Sequence, residues 1–451
     1  MTVLLFIAGV VIVAVGIALS IALHEVGHLV PAKLFGVRVP QYMVGFGKTV
    51  WSTRRGETEY GLKAIPLGGY VSMIGMYPPA KSGEGQVRQS STGMFQQLAD
   101  DARKAAAEQL RPGDEDRMFH RLPVWKRIVI MLGGPLMNLV IGTLLIAVVV
   151  TGFGTVQATT TVSEVFQCVV TDEEQAERER QGGTDCRPSD PEAPAYAAGL
   201  LPGDVVTSFD GTAVGERDWM ELTEMIRAAA GRQAPITYLR DGVEHTATIE
   251  PLLTERPELD INDRPLTEAD GTVQTVRVGF IGMGSEQRLM TLPVGEVPGL
   301  VGENVRVVAG VVLDLPARMA AVARAAFSDA PRDPNGPISV VGVGRIAGEV
   351  SAMEEIPLEN RFATLIGLVA SLNIALFVFN LVPLLPLDGG HIAGALWEAL
   401  RRGFAKVFRL RDPGPVDIAK LLPVTYVVAA LMLGMGILLI YADIVKPVNI
   451  F

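Results

Sequence analysis

From residue 3 to residue 23 the chain carries a single polar side chain, Ser20, and then passes straight into His24-Glu25-Val26-Gly27-His28. At 1.5 Å per residue, a helix over this run crosses the roughly 30 Å apolar layer of a bilayer. Three later runs share that character: 127–152, with Gly133, Gly134, Pro135 and Asn138; 362–392, with Asn380, Pro383, Pro386 and Asp388; and 424–444. Together with the first, at 2–30, they predict a polytopic α-helical membrane protein of four spans. The opening run has no basic flank and no small-residue cleavage site after it, so it reads as a retained span, not a cleaved signal peptide.

The polar stretches between the spans have their own patterns. In 31–126, short apolar and aromatic pieces around Phe46, Trp51 and 59–73 are punctuated by glycine, which predicts β-hairpins over about 38–76. Hairpins close to the bilayer and ordinary turns in a small cytoplasmic sheet both fit that spacing. Residues 81–117, rich in Gln, Ser, Ala and charge, read as a mobile insertion with a helix near 94–110. The stretch 153–256 shows a strand near 159–165, an amphipathic helix over 219–230 and a hairpin turning at Asp241-Gly242. In the linker region 257–361, helical periodicity over 301–327 with Arg306, Arg318 and Arg324 predicts one surface helix at the membrane. A loop at 393–423 holds Arg401, Arg402, Lys406, Arg409 and Arg411.

Charge orients this arrangement. Residues 151–361 hold 17 Arg, no Lys and 34 Asp or Glu, a net charge of −17, and the whole chain stands at −10, so the remainder carries +7. Basic residues that flank apolar segments stay in the cytoplasm. The acidic block and both termini are therefore extracytoplasmic, and 31–126 and 393–423 are cytoplasmic loops. An acidic chain with 49% hydrophobic residues excludes nucleic acid as a partner. Cys168 and Cys186 both fall in the acidic block, where a disulfide and two free thiols fit equally.

Histidines at i and i+4 lie one turn apart on a helix face, with the acid between them alongside. This is the H-E-x-x-H arrangement, in which His24 and His28 hold zinc and Glu25 is the base. Ionisable groups at membrane depth are expensive and mark function; the alternative is a polar helix end in the headgroup zone. Catalytic zinc takes three protein ligands. His120 lies in a basic loop, His245 in the external hairpin and Asp443 at an outer helix end, whereas Asp388 is embedded in an apolar run on the side of His28. Asp388 is the predicted third ligand, and Gly389 and Gly390 let it turn. His391 reads as a residue behind the ligands or at a helix start. Asn138 reads as a helix-packing residue, with contact to the zinc helix as the alternative.

The sequence A-x-x-A-G-L at 195–200, then Gly203-Asp204, a strand ending in Asp210-Gly211, a helix and a hairpin resemble a PDZ domain, an α+β unit assigned to 153–256. Such domains can take a peptide as an added strand. Over nearly the whole length, HEVGH at 24–28, VGFG at 44–47, IPLGGYV at 65–71, GGPLMN at 133–138, GPISV at 336–340 and FNLVPLLPLDGGH at 379–391 resemble a known family. It is the site-2 protease family of intramembrane zinc metalloproteases, in its bacterial branch of the regulator of sigma-E protease type.

That resemblance implies a Zn2+ held by His24, His28 and Asp388, water activated by Glu25, and a tetrahedral intermediate stabilised by Asn380. It also implies membrane-associated β-structure around Gly68, Gly69 and Tyr70 that binds the substrate as an added strand. The implied activity is regulated intramembrane proteolysis in the bacterial cytoplasmic (inner or plasma) membrane. Substrates would be single-span proteins such as anti-sigma factors, after an upstream site-1 protease has cut outside, or remnant signal peptides, with the PDZ domain screening size. The chain departs from the pattern in having one PDZ domain where some relatives have two, and a second proline six positions after Asn380 where others have five. Two rival readings remain: a membrane-anchored peptidase acting on cytoplasmic or misfolded segments with a third ligand from 31–126, and a non-enzymatic PDZ scaffold.

Overall fold

The structure of the protein, a computed structural model, describes residues 2–76, 110–171, 174, 178, 186–257, 274–328, 330, 332–333, 336–416 and 421–448. The chain forms two compact units, Met1–Val149 with Pro293–Phe451, and Val150–Leu292.

In the first unit, α1 (Thr2–Leu34) runs unbroken through the His24–His28 segment, because no residue before Pro31 interrupts its hydrogen bonds. Strands β1 (Gln41–Arg55) and β2 (Thr58–Ser72) then pair antiparallel with an unusual register. Gln41 to Val44 of β1 are flanked on one side by Ser72 to Gly69 and on the other by Glu59 to Leu62, while Trp51 to Arg55 pair with Leu62 to Thr58. The two long strands are thus folded into four short ones, with 69–72 at an outer edge. Gly45 and Gly68, at φ +92° and +94°, permit the bends. Helix α2 (Val124–Val148) comes next. The insertion helix expected near 94–110 lies outside the described residues.

The second unit contains β3 (Thr155–Val165), β4 (Val205–Phe209), β5 (Thr212–Ala213), α3 (Trp219–Ala228), β6 (Ala234–Arg240), β7 (Val243–Ile249), β8 (Leu252–Pro257), β9 (Thr275–Phe280) and β10 (Met283–Met290). Its main sheet has the order β10-β3-β4-β6-β7, with β5 beside β4, and β8 pairs with β9. Phe209, Leu222 and Ile236, all fully buried, form the centre of its core. Sequence patterns end this unit at residue 256 and assign residues 257–361 to a linker. The structure carries the unit to Leu292, because β10 pairs along β3 from a remote part of the chain, which no local pattern reveals. Cys168 and Cys186 form a disulfide, with a Cα–Cα distance of 5.9 Å.

The chain returns to the first unit with α4 (Val297–Leu313), α5 (Leu315–Phe327), α6 (Val340–Ala352), α7 (Leu358–Asn380), α8 (Asp388–Val407) and α9 (Leu422–Val445). Two expectations are corrected here. The single helix over 301–327 is two, broken at Asp314, since Pro316 sits in the first turn of the second and cannot continue the first. The third span does not reach 392: α7 stops at Asn380, Pro383 and Pro386 interrupt the backbone ladder, and a new helix begins at Asp388 and fills much of the expected loop. Among the described residues, α1, α2, α7 and α9 are the helices long and apolar enough to cross a membrane.

Lipid tails give helices no hydrophobic reason to associate, so close backbone approach and polar contacts must do it. At Gly133, an added Cβ would lie 1.9 Å from the Gly27 carbonyl oxygen; at Gly16, 2.9 Å from Val369; and at Gly142, 2.8 Å from Ile374. Asn373 of α7 donates to Ser20 of α1 at 2.8 Å, in a fully buried contact. Ser339, in the GPISV motif, donates its backbone N–H to Asp443 of α9 at 2.6 Å, and Arg332 pairs with the same carboxylate at 2.6 Å.

Candidate metal centre

Three elements build the centre: the inner turns of α1, the first residue of α8, and the glycines of α2. One helical turn sets His24 above His28, and their Nε2 atoms are 3.2 Å apart. Asp388 Oδ2 lies 3.4 Å from each of them. A tetrahedral metal with bonds of about 2.0–2.1 Å has ligand–ligand edges of about 3.3–3.4 Å, so this triangle has the dimensions of one face of a zinc site.

Donor chemistry agrees with the dimensions. His28 Nδ1 lies 2.8 Å from the Ile130 carbonyl, which can only accept, so the proton is on Nδ1 and Nε2 offers a lone pair. That lone pair faces a carboxylate and a second imidazole in a buried place, an arrangement that a cation stabilises. The residues therefore fit zinc. Among the described residues this is the cluster of His, Cys, Asp or Glu able to hold a metal ion.

Partners behind the candidate ligands fix their orientation. Asn138 of α2, 1% exposed, lies 3.1 Å from His24 Nδ1. For His24 to bind metal through Nε2, its Nδ1 must carry the proton and the Asn138 amide must turn its oxygen towards it. That rotation also gives the buried Asn138 Oδ1, which has no partner, a hydrogen bond. Asn138 thus touches the zinc helix, the alternative reading of its role. Asn138→Leu should weaken zinc binding roughly 10- to 100-fold while the helices stay packed. Competition against a chromophoric chelator measures this, and unchanged affinity would leave Asn138 a packing residue.

Gly134 is the residue that sequence patterns undervalue. A Cβ there would lie 2.2 Å from His28 Nε2 and 2.7 Å from His24 Nε2, so α2 passes directly over both ligand nitrogens. The Gly-Gly pair is legible as close packing, but nothing local names its partner. Glu25 points to the β-structure: its Cγ would be 2.9 Å from a Cβ on Gly69. Tyr42 of β1 donates to the Ala22 carbonyl at 2.8 Å. Burial, with the nearby Glu25 carboxylate adding to it, pushes the Tyr42 phenol up to about 12, so it stays a donor at any working pH.

Helix α8 is anchored by a pair that sequence patterns do not reveal. Arg127 at the start of α2 binds Glu398 at 3.0 and 2.6 Å, both side chains buried. Removing Glu398 would strand the buried Arg127 charge, costing about 3–5 kcal/mol, whereas Glu398 without Arg127 would keep Arg402 at 3.1 Å. His391, in the first turn of α8, is half-buried with no partner for its Nδ1. Asn380 closes α7, half-buried, before the proline turn that leads to Asp388. Gly68, Gly69 and Tyr70 lie on the edge segment of β2, and Tyr70 donates to Gln41 at 3.2 Å.

Four apolar helices and a partly buried His–His–carboxylate cluster define an integral membrane metallopeptidase. A family model, that of peptidase family M50, matches residues 12–409. The chain is similar to zinc metalloprotease Rip1 of Mycobacterium tuberculosis (strain H37Rv), at 33% identity over 458 residues, covering 99% of this chain and 100% of that protein. It is 32% identical to the Rip1 of Mycolicibacterium smegmatis, over 99% of this chain and 100% of that one. Metalloprotease MmpA of Caulobacter vibrioides is 27% identical, over 86% of this chain and 85% of its own. The chain belongs to peptidase family M50, the site-2 proteases, and is a zinc metalloprotease.

Proposed function

We propose that this enzyme cuts peptide bonds within or near the membrane-spanning segments of single-span proteins, using His24, His28 and Asp388 as zinc ligands. The observation that carries the reading is the triangle of two imidazole nitrogens and one carboxylate oxygen, 3.2–3.4 Å on each side, built on a membrane-crossing helix. Zinc, when bound there, supplies Lewis acidity towards water and the scissile carbonyl. Glu25 takes the proton from the attacking water and later passes it to the leaving amine. Asn380 donates to the developing oxyanion, a role taken from the family pattern.

The edge segment 69–72, whose outer side pairs with no strand among the described residues, supports a second part of the reading. A substrate helix that unwinds can add to this edge as a strand, with Gly68, Gly69 and Tyr70 beside it, and the Glu25 carboxylate then lies next to the bound backbone. The unit Val150–Leu292 is proposed to be an extracytoplasmic PDZ domain, in a cytoplasmic-membrane enzyme whose two termini are also outside. Substrates of the anti-sigma factor type, already shortened by a site-1 protease, and remnant signal peptides fit a site entered by one unwound helix.

The test is cleavage of a single-span substrate by the full-length enzyme in proteoliposomes, with the product ends mapped by mass spectrometry. Cuts within the span or its last turn, lost on removal of zinc, are expected. Cuts confined to soluble loops would replace this reading with that of a membrane-anchored peptidase.

A further inference from the structure

Helix α8 carries a face that nothing among the described residues covers. Leu396, Trp397, Leu400, Phe404, Val407 and Phe408 are between 49% and 76% exposed. At 100° per residue they fall within an arc of about 120°, which persists to the last turn of the helix. Ala395, Glu398 and Ala405, on the other side, are buried. Beyond the helix the chain turns back along the polar side: the Val416 N–H donates to Glu398 at 3.0 Å and Arg401 to the Pro413 carbonyl at 3.4 Å. It leaves the apolar arc open.

The level of this helix is marked by its anchor. Glu398, midway along α8, is held by Arg127, and the two residues before Arg127 are Lys126 and Trp125. Trp125 meets Phe35 edge-on at 5.4 Å, and the Lys126 ammonium lies over both rings at 5.2 and 5.6 Å. An aromatic cluster capped by lysine at the end of a membrane helix belongs at the boundary between acyl chains and headgroups. A helix leaving the bilayer along its normal would expose apolar residues only in its first turns. Here the apolar arc runs on to Phe408, while Lys406, Arg409 and Arg411 are exposed beside it.

We propose that α8 climbs obliquely from the metal centre into the membrane interface, its apolar arc against the acyl chains and its basic residues at the far end on anionic phospholipid headgroups. The leaflet then helps to hold the helix whose first residue is the proposed ligand Asp388. An amphipathic helix with a basic polar face binds such a surface through buried apolar area and charge together.

The test uses the full-length protein in bilayers of phosphatidylcholine with phosphatidylglycerol. Nitroxide labels are placed at Leu400→Cys, Phe404→Cys, Val407→Cys and, as a reference, Lys406→Cys; the native cysteines are joined to each other and do not react. Expected are collisions with oxygen several-fold above those with an aqueous nickel chelate at 400, 404 and 407, and the reverse at 406. Replacing Arg409 and Arg411 by Gln, or omitting phosphatidylglycerol, should shift the label at 404 towards water. Equal nickel access at all four positions would overturn the proposal. So would labels at 400, 404 and 407 that are immobile and reached by neither reagent, since a protein surface would then cover the arc. Retained zinc in each variant shows that it has folded.

Discussion

Glu25→Gln is expected to keep its zinc and to lose peptide hydrolysis by roughly 10²- to 10⁴-fold, the usual contribution of a positioned general base. The substitution preserves shape and leaves the three metal-directed atoms, His24 Nε2, His28 Nε2 and Asp388 Oδ2, untouched. Only the capacity to take a proton is lost. Metal analysis of the purified variant, alongside single-turnover cleavage in proteoliposomes, separates the two properties. Turnover at the wild-type rate would remove Glu25 from the chemistry; loss of zinc would make it a structural part of the metal site.

Gly134→Ala should lower zinc affinity by more than 100-fold, although it adds one methyl group to a residue that binds nothing. The new Cβ would sit 2.2 Å from His28 Nε2 and 2.7 Å from His24 Nε2, well inside van der Waals contact with both nitrogens. Helix α2 cannot back away cheaply, because Gly133 is pressed against the Gly27 backbone of α1 and Arg127 ties the start of α2 to Glu398. Either the imidazoles rotate out of the triangle or the helices part, and both outcomes open the site. Chelator competition on the solubilised protein measures the effect. Gly434→Ala, in α9, is the control: no heavy atom lies within 4 Å of its added Cβ, and zinc binding should not change. Wild-type affinity in Gly134→Ala would mean that α2 does not close over the ligands.

Much of the candidate site is legible without any coordinates. His24 and His28 announce themselves by spacing, Glu25 by its place between them, and Asp388 by being an acid in an apolar run where acids are expensive. Those signals are local, and local signals survive in a one-dimensional pattern. The β10–β3 pairing is not legible, since the partners are remote in the chain and each looks like any short strand. Nor is the end of the third span. The prolines at 383 and 386 are visible, but whether the chain resumes the same helix or starts a new one at Asp388 depends on what receives the freed backbone groups.

The sequence by itself determined the membrane class, the four long apolar helices and which residues are candidates for the metal, because each comes from composition and from the 3.6-residue period of one helix. Tertiary structure alone decided that Asp388 meets the two imidazoles, that Gly134 lies over them and Asn138 behind them, and that 69–72 is the outer edge of the described strands, beside Glu25. Those facts belong to pairs of elements far apart in the chain. Their distances are set by how closely glycine lets one backbone approach another, a property of both partners at once.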